Sequence, residues 1–113
     1  MGGRGQRLPN YRNAIIKRNK LKNYLLNPSK SPKAAFFHRI GYNMKNFRRF
    51  EKDIRKGLKD NPAEVVIKNR YGHEVKAYSV KMSLGINKKA VVVTGWEMEN
   101  KKPRLITAYP DKR

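Results

Sequence analysis

Two β-branched runs near the C-terminus, Ala90–Thr94 and Arg104–Tyr109, carry the side chains best suited to chemistry. Thr94 and Trp96 stand two residues apart, as do Thr107 and Tyr109, so each pair shares one side of an extended strand. A sheet face with Thr94, Trp96, Thr107 and Tyr109 presents hydroxyls and flat rings together, which suits a nucleotide and its phosphates. β-propensity alone also draws Thr, Tyr and Trp into strands, so the same spacing admits a purely structural role. Arg104 adds a guanidinium able to grip phosphate oxygens in pairs. Strict alternation puts Thr107 with Leu105 and Tyr109, opposite Arg104 and Ile106. Arg104 then joins the hydroxyls only if Pro103 breaks the alternation.

RNA supplies its own nucleophile, the 2′-hydroxyl. A protein that cuts it must remove that proton, stabilise the phosphorane and protonate the leaving oxygen. His, Lys, Arg, Thr and Tyr suffice without a metal. The catalytic candidates are Lys33, His38, Thr94, Arg104, Thr107 and Tyr109. Lys33 stands at the expected N-terminus of a helix, where anions are favoured, and proton transfer falls to His38 or Lys30. His38 lies beside two phenylalanines, a setting in which histidine also serves structure alone. Lys30, Arg39, Arg48, Arg49 and Trp96 are the expected RNA contacts.

Composition narrows the partners. Lys and Arg number 28 against 8 Asp and Glu, a net charge of +20 over 113 residues. Self-repulsion on that scale opposes a compact state unless an anion is near, either nucleic acid or an acidic protein. The absence of cysteine excludes disulfides and thiolate-bound zinc. His38 and His73 are far apart and carboxylates are few, so neither a metal nor another cofactor is expected. No apolar run is long enough for a transmembrane helix. The first ten residues lack the apolar centre of a secretory signal, and Gln6 stands where myristoylation needs Ser or Thr. A cytoplasmic protein without a signal peptide or membrane partner is therefore expected. Phosphate loops, dinucleotide glycine fingerprints, HExxH, nucleophile elbows, zinc fingers and RNP motifs are all missing.

The elements that must position these residues follow from periodicity. Residues 1–10 read as a flexible Gly- and Arg-rich arm, and residues 11–113 as one domain. A short element at Ala14–Ile16 precedes a helix over Lys20–Leu26, stopped by Asn27 and Pro28. Ser31 caps a second helix, Pro32–Ile40, which ends at Gly41. Residues 44–59 form the third, with Phe47, Phe50, Ile54 and Leu58 as one apolar stripe and basic residues elsewhere. From Glu64 the period switches towards two. Strands are expected at Val65–Ile67 and Val75–Val80, then at the two C-terminal runs, with turns at 69–72 and 85–88. The chain is thus α+β, with N-terminal helices packed on one face of an antiparallel sheet of about four strands.

Three segments, Lys20–Pro28, Pro32–Tyr42 and Val92–Pro110, together resemble a small domain family of bacterial polymorphic toxins and phage-borne proteins. Its pattern has YLL, a loop, KAxFFxxxGY, a basic helix, a glycine turn, and W…PRLxTAYP. Lys33-Ala34, Phe36-Phe37, Gly41-Tyr42, Tyr71-Gly72, Trp96 and Pro103–Pro110 stand at those places. Such families resemble the ribonucleases that include barnase, EndoU, colicin D and RelE. The resemblance implies metal-independent RNA cleavage, possibly of tRNA, with an acidic immunity protein or inhibitor as a second partner. It carries site roles to Lys33, Trp96, Arg104, Thr107 and Tyr109. Relatives often place a His-Pro pair in the loop before the KA pair, where this chain has Ser29-Lys30-Ser31-Pro32. Without that histidine, a non-catalytic nucleic-acid-binding protein of a phage or mobile element is the alternative. Gathering of the candidates in one cleft favours the enzyme, and their dispersal over a basic face favours the binder.

Overall fold

The computed structural model describes residues 6–70 and 72–111. A turn of 3-10 helix, Tyr11–Asn13, leads to α1 (Arg18–Lys20), which continues as a π-helical stretch, Leu21–Leu25. Then come α2 (Ala34–Arg39), α3 (Phe47–Asp60), β1 (Ala63–Arg70), β2 (His73–Leu84), β3 (Ala90–Glu99) and β4 (Lys102–Pro110). The strands form one antiparallel sheet in the order β1-β2-β3-β4. Helices precede strands, in the expected α+β order.

Each helix has a local reason for its form. Leu26 N–H reaches back to Leu21 C=O, so the π-stretch gains a residue in its turn and Leu21, Leu25 and Leu26 are all buried. α2 starts two residues later than Pro32. Lys33 is its N-cap, and Ser31 Oγ accepts the Lys33 N–H in a turn just before the helix. α3 buries Phe50, Ile54 and Leu58 and leaves Phe47 half-buried, matching the apolar stripe. Gly57 lets α3 approach β2 closely, since a Cβ there would stand 2.4 Å from Met82 Sδ.

The core lies between helices and sheet. Phe37, Phe50 and Tyr42 stack with ring centroids 4.7–5.0 Å apart over Val80, Met82, Val92, Trp96, Leu105 and Ala108. Tyr42 Oη donates to Asp53 Oδ2 at 2.6 Å and accepts the Gly85 N–H at 2.8 Å, tying α3 to the β2–β3 turn. Burial, reinforced by the bond to Asp53, raises the Tyr42 pKa far above the usual phenol value.

The N-terminal segment is not a free arm throughout. Leu8 is 1% exposed within the core, and Gln6 C=O accepts the Ala63 N–H at 2.8 Å. Any arm is confined to residues before Gln6, which lie outside the described residues, as does Tyr71. The short element expected at Ala14–Ile16 pairs Ile15 with Arg104 in a parallel bridge, so this segment lines the outer edge of β4. No described helix is long and apolar enough to cross a membrane.

Candidate functional site

The strand register decides which side chains meet. Trp96 pairs with Leu105, but Gly95 pairs with Thr107, so Ile106 is an extra residue in β4. This bulge shifts the phase of the strand. Val92, Trp96, Leu105 and Ala108 face the helices in the core. Arg104, Thr107 and Tyr109 oppose Glu97, Gly95 and Val93 on the other side. The alternation expected from sequence is therefore corrected: Thr107 is not on the side of Leu105, and Arg104 shares its face. The bulge, rather than Pro103, brings them together.

The face turned away from the core has cross-strand rows Ala77–Glu97–Arg104, Ser79–Gly95–Thr107 and Lys81–Val93–Tyr109, in which Ala77, Val93 and Glu97 are buried. Gly95 makes a shallow place in the middle row. A Cβ there would stand 3.0 Å from Thr107 Cγ2. Arg104 Nε lies 2.6 Å from Glu99 Oε1 as an ion pair, yet the N–H has no acceptor in hydrogen-bonding geometry. Lys81 pairs more loosely with Asp111, at 3.7 Å.

At the β4 edge, Lys33 Nζ sits 5.4 Å from the Tyr109 ring centroid, a cation–π contact. Pro32, Lys33, Phe36, Tyr109, Pro110 and Asp111 line a cleft of about 640 Å³ here. Lys20 completes the group. Its pKa is lowered, first by burial and then by the charges of Arg104 and Lys33. Among the described residues neither Lys20 nor Lys33 is ion-paired. Lys20 thus stands within electrostatic reach of both other cations, while Glu99 pairs with Arg104 and Asp111 lines the cleft beside Lys33. The sequence reading missed Lys20, because nothing local to the α1 sequence points it towards β4.

Two expected site residues belong to the interior. Trp96 is 1% exposed, and its indole N–H donates to Thr94 Oγ1 at 2.8 Å. Thr94, fully buried, donates in turn to Val80 C=O at 2.9 Å. Trp96 therefore offers no ring face to a base, and the Thr94 hydroxyl is committed to structure. Their strand alternates as expected, but the shared side is the one the helices cover. His38 is exposed on α2, with Nε2 3.0 Å from Leu26 C=O, which anchors α2 to the segment before it. Among the described residues no hydrogen bond, ion pair or ring contact joins His38 to the Lys33–Arg104 group. Lys30 and Arg39 are exposed, Arg48 lies over the Phe47 ring, and Arg49 is held by Asp53 at 3.0 Å.

The basic face of α3, legible in the sequence as a solvated or nucleic-acid-binding surface, also lines a groove that Tyr11 and Arg12 complete, which was not foreseen. Tyr11, Arg12, Lys52, Arg55, Lys56 and Lys59 line a cavity of about 460 Å³ between the first helical turn and α3. Arg7 and Arg12 both lie over the Tyr11 ring, at 5.8 and 5.7 Å. The Tyr11 pKa is lowered, chiefly by its hydrogen bond with Arg12. Arg55 is engaged by Glu51 and Ala14 C=O, and Lys56 by Asp60, whereas Arg12, Lys52 and Lys59 have no carboxylate ion pair among the described residues. The chain from Arg12 to Lys20 connects this groove to the β4-edge group. Among the described residues no group of His, Cys, Asp or Glu is arranged to hold a metal ion.

No curated protein and no solved structure matches this chain. Residues 7–112, nearly the whole fold described above, match a family described as a domain of unknown function, and the chain belongs to that family, DUF6883.

Proposed function

We propose that the protein binds the phosphate backbone of RNA through the β4 edge and the side chains of Arg104, Thr107 and Tyr109 on the sheet face beside it. The observation that carries this reading is Lys20 standing within electrostatic reach of both Arg104 and Lys33, with Lys33 in turn over the Tyr109 ring. Burial and then the charges of Arg104 and Lys33 lower the Lys20 pKa, and a phosphate beside it would offset that cost. Glu51, Asp53, Asp60, Glu99 and Asp111 are already in ion pairs, so the excess of cations stays outside these internal pairs. The exposed Tyr109 ring offers a base a stacking surface, and the Tyr11 groove offers a second backbone contact. An acidic inhibitor protein would compete for the same cations.

Metal-independent cleavage is the second reading, supported by the shared face of Arg104, Thr107 and Tyr109. Arg104 and Lys33 would hold the phosphate, and the Thr107 hydroxyl would complete the charge stabilisation. The weak point of that chemistry is proton transfer, since His38 is bonded to Leu26 C=O and Lys30 is a surface residue.

One preparation separates the readings: purified protein with a labelled single-stranded RNA in EDTA, followed by both mobility and end-mapping. Binding without new ends is the expected result. Discrete new ends that vanish in Thr107→Ala, with binding retained, would establish the second reading. No binding at low salt would refute both.

A further inference from the structure

The two edges of the sheet are treated differently. β4 is lined by Ile15, whose N–H donates to Pro103 C=O and whose C=O accepts the Leu105 N–H. Among the described residues no strand lies on the outer side of β1, where Gln6 C=O meets the Ala63 N–H at its first residue. Its middle is apolar and open, with Val65 56% and Ile67 63% exposed. β1 carries no proline, and long apolar edges of this kind pair with other strands unless something blocks them.

We infer that β1 pairs antiparallel with β1 of a second copy of this chain, about a two-fold axis at Val66. Backbone parity comes first. The Ala63 N–H points outward to Gln6 C=O, so Ala63, Val65, Ile67 and Asn69 turn their outer backbone groups away from β2. A two-fold pairing must set such residues opposite one another. The register at Val66 does so, placing Val65 against Ile67 of the second copy, twice.

The side chains select this register from its neighbours. Glu64 falls opposite Lys68 of the second copy, also twice, in the positions where paired side chains approach most closely. Both residues are exposed, and neither is ion-paired among the described residues. Centring on Val65 instead would put Glu64 against Val66 and Lys68 against Pro62. Centring on Ile67 would put Lys68 against Val66 and Val65 against Asn69. Only the Val66 register matches apolar with apolar and acid with base. The product is one continuous eight-stranded sheet, in which Val65 and Ile67 of both copies meet as a single apolar cluster.

The net charge of +20 on each copy opposes association. Dimerisation is therefore strengthened by added salt, which screens that repulsion. This is the reverse of the salt effect expected for RNA binding, so either reading can fail without the other.

The test is sedimentation at high protein concentration, from low salt to roughly 0.5 M, where the Debye length falls well below 10 Å. The expected result is a shift from monomer to dimer as salt rises. Ile67→Pro removes an outward N–H that β2 does not use, so it should abolish the dimer while the melting curve stays cooperative. Glu64→Lys and Lys68→Glu should each weaken dimerisation, and the double swap, which keeps the net charge, should restore it. Should Ile67→Pro fail to fold, the swap alone decides. A monomer at every salt concentration, or a dimer indifferent to these variants, overturns the inference.

Discussion

Replacing Lys20 and Lys33 together by Gln removes the two unpaired cations of the β4-edge group while keeping long side chains in place. Arg104 is left intact because Glu99, 2.6 Å away, already offsets part of its charge. Each cation that neutralises a phosphate of a single strand contributes about −0.7 to the slope of log K against log salt. Losing two contacts should flatten that slope by about 1.4. Over a fourfold rise in salt, from about 50 to 200 mM, this amounts to about 0.8 log units. Wild-type affinity should therefore fall about sevenfold more than that of the double variant across this range. Fluorescence anisotropy with a labelled oligonucleotide, titrated at several salt concentrations, measures it directly. Lys76→Gln is the control, because Lys76 is exposed on the opposite side of the sheet, where it pairs with Ile67 of β1. Equal slopes for wild type and the double variant would refute the placement of phosphate at Lys20 and Lys33. So would a loss no greater than that caused by Lys76→Gln.

Two further outcomes test the framework behind that site. Gly57→Ala should destabilise the fold by about 1–3 kcal/mol in denaturant titration, although alanine gains about 1 kcal/mol in helix propensity, because its Cβ would collide with Met82. Unchanged or increased stability would show that α3 does not lie so near β2. Tyr42→Phe should cost about 1–3 kcal/mol at neutral pH, since Asp53 and the Gly85 N–H lose their shared partner. The folded-state pKa of Tyr42 is raised, so its contribution is complete below the ordinary value of 10.0 and is lost as pH rises beyond it. The alkaline limb of the stability profile should be flatter in the variant. The lowered pKa of Tyr11 acts in the opposite sense, and an equally steep limb in Tyr42→Phe would contradict the assignment.

Much of the fold was legible because it is written in local periods. The stripe Phe47, Phe50, Ile54, Leu58 and the switch to strand spacing after Pro62 gave α3 and all four strands. What stayed hidden depends on pairing. A β-branched run such as Arg104–Tyr109 does not say whether its alternation is continuous, so the extra residue at Ile106 escaped notice, and with it the common face of Arg104 and Thr107. For Trp96 and Thr94 the spacing leaves both an open and a structural role available, because a strand pattern gives two faces without saying which one the helices cover. Leu8 sat among glycines and arginines and resembled part of an arm, yet it fills the core. Lys20 and the Tyr11 groove arise only when distant segments meet, and no residue spacing encodes them.

The unpaired Ile106 has a consequence for how this chain tolerates change in length. It works like a frameshift within the sheet, since side chains before and after it keep opposite phases relative to β3. Many substitutions at 106 should be tolerated, because the position is only half-buried and its phase-shifting effect comes from the backbone. Deleting the residue is another matter. It would rejoin the two phases, so that either Arg104 turns towards the helices or Thr107 and Tyr109 do. In family members, the number of residues between the proline at 103 and the tyrosine at 109 should therefore be held more strictly than their identity.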